Sequence, residues 1–236
     1  MGKEEIAIQN PNLAGLVVLY HPVIEVIDNV VSYLPYISHL YLIDNSENPD
    51  QEIIHSLLSL GTKISYISMN GNMGISRALN KGSGLAIEAG YTWILTMDQD
   101  SFFGSGSFFQ FLTRDKYQNI AILAASFELS FFNKRNSDYP DFYEVGYVIT
   151  SGNLLNLKVW KTVGGFLDEL FIDEVDNEFC IRARNSGYRI LSSKEVFLIH
   201  KLGRKVPVNR LFGFGKSNYS IHSEIRLYYM FRNNIY

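Results

Sequence analysis

The sequence predicts an α/β fold built on a mostly parallel central sheet with helices on both faces. Three observations predict it. Over the first hundred residues, apolar runs of strand length alternate with stretches of helical spacing. The strands are continuously apolar, which suits burial on both faces. The turns between elements are short, as they are in sheets built from successive strand–helix units.

Each element has its own signal. Residues 13–20 form an unbroken apolar run and read as a buried strand. Val23, Val26, Ile27, Val30, Val31 and Leu34 recur at helical spacing over residues 23–34. Residues 40–43 form a second strand that runs into Asp44-Asn45-Ser46. Residues 51–60 read as a helix closed by Gly61, residues 63–68 as a third strand, and residues 74–89 as a helix closed by Gly90. Residues 93–97 form a fourth strand that meets Asp98-Gln99-Asp100. Beyond residue 100 the rhythm loosens. Residues 107–113 and 120–127 read as one more helix and strand, residues 143–157 as extended or hairpin structure, residues 174–185 as a helix, and residues 196–200 as a late strand.

The 236 residues are 47% apolar and 14% aromatic, enough for one sizeable core with a soft boundary near residue 101. The net charge of −3 hides an asymmetry: from Lys201 onward there are seven basic residues and one acidic, so the tail is +6 and the remainder −9. The tail has three readings: closure over a diphosphate, contact with an anionic membrane surface, or a solvated face. Nucleic acid is not an expected partner, because the rest of the chain is acidic and carries no recognisable binding module. One cysteine, Cys180, excludes an internal disulfide and fits a reducing cytoplasm. The N-terminus does not read as a signal peptide, and no apolar run approaches membrane-spanning length. The last residues carry no helix-ending signal, so C-terminal truncation is expected.

In open α/β sheets, ligands bind at the carboxyl ends of the strands. His21, Asp44 with Asn45, and Asp98 with Asp100 stand at those ends. Two carboxylates two residues apart in extended chain point the same way and repel unless a cation lies between them. Mg2+ or Mn2+ takes such oxygen ligands and shares them with substrate phosphates; the competing reading is a polar turn. Asn72 and Gly74 lead into a helix N-terminus that suits an anion, with Arg77 as a forked donor, against an ordinary capped turn. Gly213 to Ser217 contains Gly-Lys-Ser, but Arg210 replaces the first glycine of a phosphate loop. Residues 164–182 hold six carboxylates beside large apolar side chains. Asp173 and Asp176 fall in the first turn of a helix, either as dipole partners or, for Asp176, as a general base.

Taken in order, Tyr20-His21-Pro22, Asp44-Asn45-Ser46, Asn72-x-Gly74-x-x-x-Ala78-x-Asn80-x-Gly82, Asp98-x-Asp100, Thr150-Ser151-Gly152-Asn153, Gly164-Gly165-Phe166, Phe171-Ile172-Asp173, Asp176-x-Glu178-Phe179-Cys180-x-Arg182 and Tyr228-Tyr229-x-x-Arg232-Asn233 resemble the inverting family 2 glycosyltransferases of the GT-A fold. The resemblance is nearest to their bacterial rhamnosyltransferase-like branch and covers residues 13–233. It implies one GT-A domain over residues 1–236, with a nucleotide-binding half (1–101) and a smaller, mixed acceptor-side half (102–236). It implies that Asp44 contacts the nucleotide base, with Tyr20, His21 and Asn45 nearby. Residues 72–80, with Asn72, Gly74, Arg77 and Asn80, would lie along the nucleotide and its phosphates. Asp98 would contact the ribose or the metal, and Asp100 would ligate Mg2+ or Mn2+, with His200 as a further ligand or a strand-end histidine. Ser151, Gly152 and Asn153 would face the sugar or acceptor. Asp176 matches the catalytic base, but Val175 stands where many members carry Glu, which keeps Asp173 in contention. The implied donor is a dTDP- or UDP-sugar, dTDP-rhamnose being favoured. The implied acceptor is a glycan or lipid-linked chain in surface polysaccharide assembly, met in the cytoplasm or at the inner face of the membrane. A nucleotidyltransferase would carry a glycine-rich basic loop where Tyr20-His21-Pro22-Val23 stands; a nucleotide-sugar-binding module would not need Asp98, Asp100 and Asp176 together.

Overall fold

The structure, a computed structural model, describes residues 12–104, 118–126, 135–139, 141–200, 205–209, 216–220 and 223–234. Strands β1 (Leu13–Leu19), β2 (His39–Asp44), β3 (Ile64–Ser68) and β4 (Trp93–Asp98) pair in parallel in the order β3-β2-β1-β4. Helices α1 (Val26–Val31), α2 (Gln51–Ser59) and α3 (Ile75–Glu88) connect them. The sequence-predicted sheet is therefore present, with each strand within a residue or two of its expected bounds. Helix α1 is shorter than its spacing suggests. Pro35 lacks a backbone N–H, and the chain passes into a tight 3-10 turn at Leu34–Tyr36.

Burial on both faces explains the continuous apolar strands. Leu13, Val17 and Leu19 of β1 point into one core with Val30 and Leu57, while Ala14 and Leu16 enter a second with Leu79 and Phe179. Gly82 serves the second core. A Cβ there would stand 2.4 Å from the Leu16 side chain, so glycine is what lets α3 lie this close to β1.

The second half departs more from expectation. Strands β5 (Ser101–Phe103), β6 (Ile120–Ser126), β7 (Arg135–Asn136), β8 (Phe142–Glu144) and β9 (Asn153–Asn156) precede α4 (Leu157–Val163) and α5 (Val175–Asn185). They are followed by β10 (Arg189–His200), the hairpin β11 (Lys205–Asn209) and β12 (Lys216–Ser220), and α6 (Glu224–Asn233). Of the extended or hairpin structure expected over residues 143–157, the extended reading holds at β8 and β9 but the two do not pair: β8 pairs with β10, whereas β9 runs antiparallel between β4 and β6. Helix α4 begins where the Asn156 side chain accepts the N–H groups of Lys158 and Val159, an N-cap that apolar spacing does not reveal. Strand β10 starts seven residues before its expected bound. Ser192 and Ser193 are fully buried within it, and the Ser193 hydroxyl accepts the N–H groups of Glu195 and Val196 where the register to β6 shifts. The helix expected at residues 107–113 lies outside the described residues. Among those described, no helix is long and apolar enough to cross a membrane.

Candidate functional site

The carboxyl ends of β1, β2 and β4 open into a cleft of about 670 Å3. Tyr20, Asn45, Asn72, Asp98, Gln99 and Asp100 line it from the first half. Ile149, Thr150, Asp173, Glu174 and Asp176 face them from the second, and Ser223, Ile225 and Arg226 reach in from α6. Five carboxylates thus meet one cation among the described lining residues, Arg226.

The Asp98-Gln99-Asp100 corner is held on three sides. The Asp98 N–H donates to the Ser151 hydroxyl at 2.9 Å. The Gln99 side chain accepts the Tyr20 N–H at 2.8 Å and donates to the Tyr20 carbonyl at 3.0 Å, so it splints the ends of β1 and β4. The Gln99 carbonyl accepts from the buried Asn29 amide at 2.8 Å. Burial, then Asp100 and Asp176, push the Asp98 carboxyl up to about 7, against the opposing pull of Arg226. All three carboxylates line the same cleft.

At the end of β1 the ring of His21 bonds Glu47 at 2.8 Å, the His21 backbone N–H donates to the Ser46 hydroxyl at 2.8 Å, and the Tyr20 ring packs edge-on against the imidazole. Asp44 is fully enclosed: it accepts the Ser46 N–H at 2.8 Å and the Tyr66 hydroxyl at 2.9 Å. Burial and this bond push the Tyr66 phenol up to about 12. Asn45 donates to the Gly74 carbonyl at 3.0 Å; its own oxygen is buried without a protein partner.

The entry to α3 is taken up within the protein. Asn72 accepts the Gly74 N–H at 3.1 Å, and the Ile75 N–H donates to the Phe171 carbonyl at 2.6 Å. Gly74 has φ +87°, and a Cβ there would stand 2.7 Å from the Phe171 ring, so this crossing requires glycine. Further along α3, the structure does not bring Arg77 and Asn80 to the cleft. Arg77 approaches Asp168 at 3.5 Å on the surface. Asn80 accepts the Phe166 N–H and donates to the Phe166 carbonyl and to Asp168, fastening the glycine turn before Phe166 to α3. Arg182 holds that turn from the other side through the carbonyls of Val163 and Gly165.

Asp176 lies in the first turn of α5. Its carboxylate accepts the Asn177 N–H at 2.9 Å and the Thr150 N–H at 3.1 Å. Burial raises its proton affinity, and these N–H groups oppose the rise. Asp173 is differently placed: Arg226 engages both of its oxygens, the shortest contact being 2.9 Å. Ser151, Gly152 and Asn153 stand behind the cleft wall rather than on it. Ser151 supports Asp98, the Gly152 N–H donates to the Thr96 carbonyl at 2.9 Å, and Asn153 donates to the Ile149 carbonyl. The wall itself is Ile149 and Thr150. His200 closes β10, but its side chain lies outside the described residues. Cys180 is core, its thiol pushed up to about 12 by burial. Sequence reading passed over Gln99, Glu47 and Arg226; only their polarity near strand ends and the basic tail hinted at them.

No three His, Cys, Asp or Glu side chains among the described residues group to hold a metal by themselves. Asp98 and Asp100 form a two-carboxylate oxygen set beside a further acid, which fits a hard cation completed by substrate phosphate and water.

Comparison with known proteins agrees with the architecture. The chain is 27% identical over 243 aligned positions to the dTDP-rhamnosyl transferase RfbF of Shigella flexneri, covering 95% of this chain and 79% of that protein. GalNAc-T7, crystallised with UDP, GalNAc and Mn2+, superposes with a TM-score of 0.69 at 9% identity over 81% of this chain. S. aureus TarS superposes with a TM-score of 0.58 at 15% identity over 80% of it. The chain spans 44% and 36% of the lengths of these two solved structures, and the likeness to them is one of fold, the GT-A glycosyltransferase fold. The sequence pattern described as "Glycosyl transferase family 2" matches residues 20–166, more than half of the chain, and the chain accordingly belongs to glycosyl transferase family 2.

Proposed function

We propose that this protein is a metal-dependent inverting glycosyltransferase that moves rhamnose from a dTDP donor to a hydroxyl of a glycan or lipid-linked acceptor in surface polysaccharide assembly. The observation that carries the reading is the meeting of Asp98, Asp100 and Asp176 across one cleft, close enough for the other two carboxylates to raise the proton affinity of Asp98. The RfbF relationship supports the dTDP-rhamnose donor. Residues 1–101 provide the nucleotide side of the cleft and residues 102–236 the acceptor side.

Asp98 and Asp100 are the residues that would hold Mg2+ or Mn2+. Such an ion, when bound, supplies charge stabilisation to the departing nucleoside diphosphate. Tyr20, Asn45 and Asn72 line the nucleotide side. With Asp44 fully buried and bonded to Ser46 and Tyr66, Asn45 is the better-placed partner for the base, and Asp44 shapes the loop that presents it. Arg77 and Asn80 fasten α3 to the second half and are not assigned to the nucleotide.

Asp176 is assigned as the base. Its carboxylate is raised in basicity by burial and reaches the cleft, whereas Asp173 is committed to Arg226. As the acceptor oxygen bonds to the anomeric carbon, its proton passes to Asp176, and the bond to the diphosphate oxygen breaks on the opposite face. One displacement inverts the centre. Asp176→Asn keeps the side chain's shape and removes its basicity. It is expected to lower turnover at least a hundredfold, at the lower bound of a general base's contribution, with nucleotide affinity within about twofold. Loss of nucleotide binding in parallel with activity would refute the assignment.

A further inference from the structure

The loop between the 3-10 turn at Asp168–Leu170 and α5 is strained, and α6 holds it. Phe171, Asp173 and Glu174 all have φ near +60°, a region that non-glycine residues rarely occupy. Phe171 reaches back to α3, where its carbonyl accepts the Ile75 N–H and its ring covers Gly74. Two residues beyond Glu174 stands Asp176. Residues in such conformations persist only where surrounding contacts over-determine them.

Beyond those from α3, the contacts to this loop come from α6. The Asn233 side chain, 3% exposed, turns its amide nitrogen to three carbonyls of this loop: Leu170 at 2.8 Å, Ile172 at 2.8 Å and Asp173 at 2.9 Å. Its oxygen accepts from Arg232 at 2.9 Å, and Arg232 also donates to the Glu169 carbonyl. The Tyr229 ring stacks on Phe171, with centroids 4.6 Å apart and planes 14° apart. Arg226 secures Asp173. A single buried amide facing three acceptors is specific: its two N–H groups are the only donors that an isosteric acid would lack.

From this we infer that Asn233 is a positioning residue for the transfer reaction: with Tyr229 it fixes the 171–174 loop and thereby sets where the Asp176 carboxylate stands against the acceptor hydroxyl. The inference rests on the base assignment of Asp176. It gives the Tyr228-Tyr229-x-x-Arg232-Asn233 segment a task 50 to 60 residues away in sequence. It also makes α6, at the far end of the chain, part of the catalytic apparatus without contact to the reacting atoms.

The test uses the full chain with Mn2+ and dTDP-rhamnose, reading released dTDP, and measures dTDP affinity and stoichiometry separately. Asn233→Asp faces three carbonyls with oxygen in place of N–H. Tyr229→Leu removes the stack on Phe171, and Tyr229→Phe keeps it. A displacement of the base by about 1 Å costs on the order of a hundredfold in rate. The expected result is therefore a ten- to hundredfold fall in kcat for Asn233→Asp and Tyr229→Leu. Donor KM, dTDP affinity and binding stoichiometry stay within twofold, and Tyr229→Phe stays near wild type. A kcat within twofold of wild type in both Asn233→Asp and Tyr229→Leu overturns the inference. So does a fall in kcat that only follows a fall in binding stoichiometry, which would make α6 a mere prop of the fold. Wild-type protein that binds dTDP yet never releases it from the donor sinks the functional reading itself.

Discussion

Asp98 carries a cost that can be measured without any substrate. Its carboxyl rises from 3.8 to about 7 in the folded chain, chiefly through burial and then through Asp100 and Asp176. The folded state therefore holds this proton more tightly than the unfolded state does. Stability falls as pH rises between those two values and is level above the upper one. In metal-free buffer the ionised Asp98 then costs roughly 4 kcal/mol at pH 8, about 2 at pH 5 and nearly nothing at pH 3, taking about 1.4 kcal/mol per pH unit. The carboxyl is partly open to the cleft, so these figures are ceilings. Asp98→Asn removes the charge and retains the shape. Urea denaturation in EDTA should find the variant more stable than wild type at pH 8, with the advantage shrinking to roughly 2 kcal/mol at pH 5. Millimolar Mn2+ at pH 8 should reverse the order, because only the wild type gains the binding free energy of the ion. A variant no more stable at pH 8, or an advantage independent of pH, would refute the reading of a compressed carboxylate cluster.

Two further outcomes bear on the cleft. In a thermal-shift series with UDP, dTDP and GDP, with and without Mn2+, dTDP with Mn2+ should give the largest stabilisation, about 2.7 kcal/mol at a hundredfold excess over its Kd; no shift with any nucleotide at millimolar ligand and metal would remove the donor site. Arg77→Ala should leave dTDP affinity within twofold and cost less than about 1 kcal/mol, because Arg77 meets only a half-exposed Asp168; a tenfold loss of affinity by calorimetry would return Arg77 to the phosphates.

How much of this was readable before the structure depends on sequence distance. The parallel strands were plain because each is a local apolar run buried on both sides, and the acids at their ends stand where open α/β sheets bind ligands. Gln99 was not, since between two aspartates it reads as a spacer, and its partner Tyr20 is 79 residues away. Arg77 and Asn80 share a helical face by spacing, but spacing cannot say that the turn at Gly165 and Phe166, rather than a ligand, covers it. Strand β10 was half hidden because Ser192 and Ser193 interrupt its apolar run, their burial being made possible by strand bonding and a hydroxyl that serves the bend.

The choice between Asp173 and Asp176 could not be made by alignment, because Val175 stands where the acidic neighbour of the base is expected. Environment separates them. A base must be basic, reachable and uncommitted. Asp173 faces the cleft but is gripped through both oxygens by Arg226, which occupies the acceptor positions a proton would need. Asp176 accepts backbone N–H groups, among them those of Asn177 and Thr150, and no side-chain cation is bonded to it among the described residues; burial makes it more basic. The Asp173–Arg226 pair has its own use: it fixes the turn immediately before Asp176 and places Arg226 where it moderates the charge of Asp98. On the proposed assignment, one acid holds the turn so that the other, three residues on, is left to take the proton.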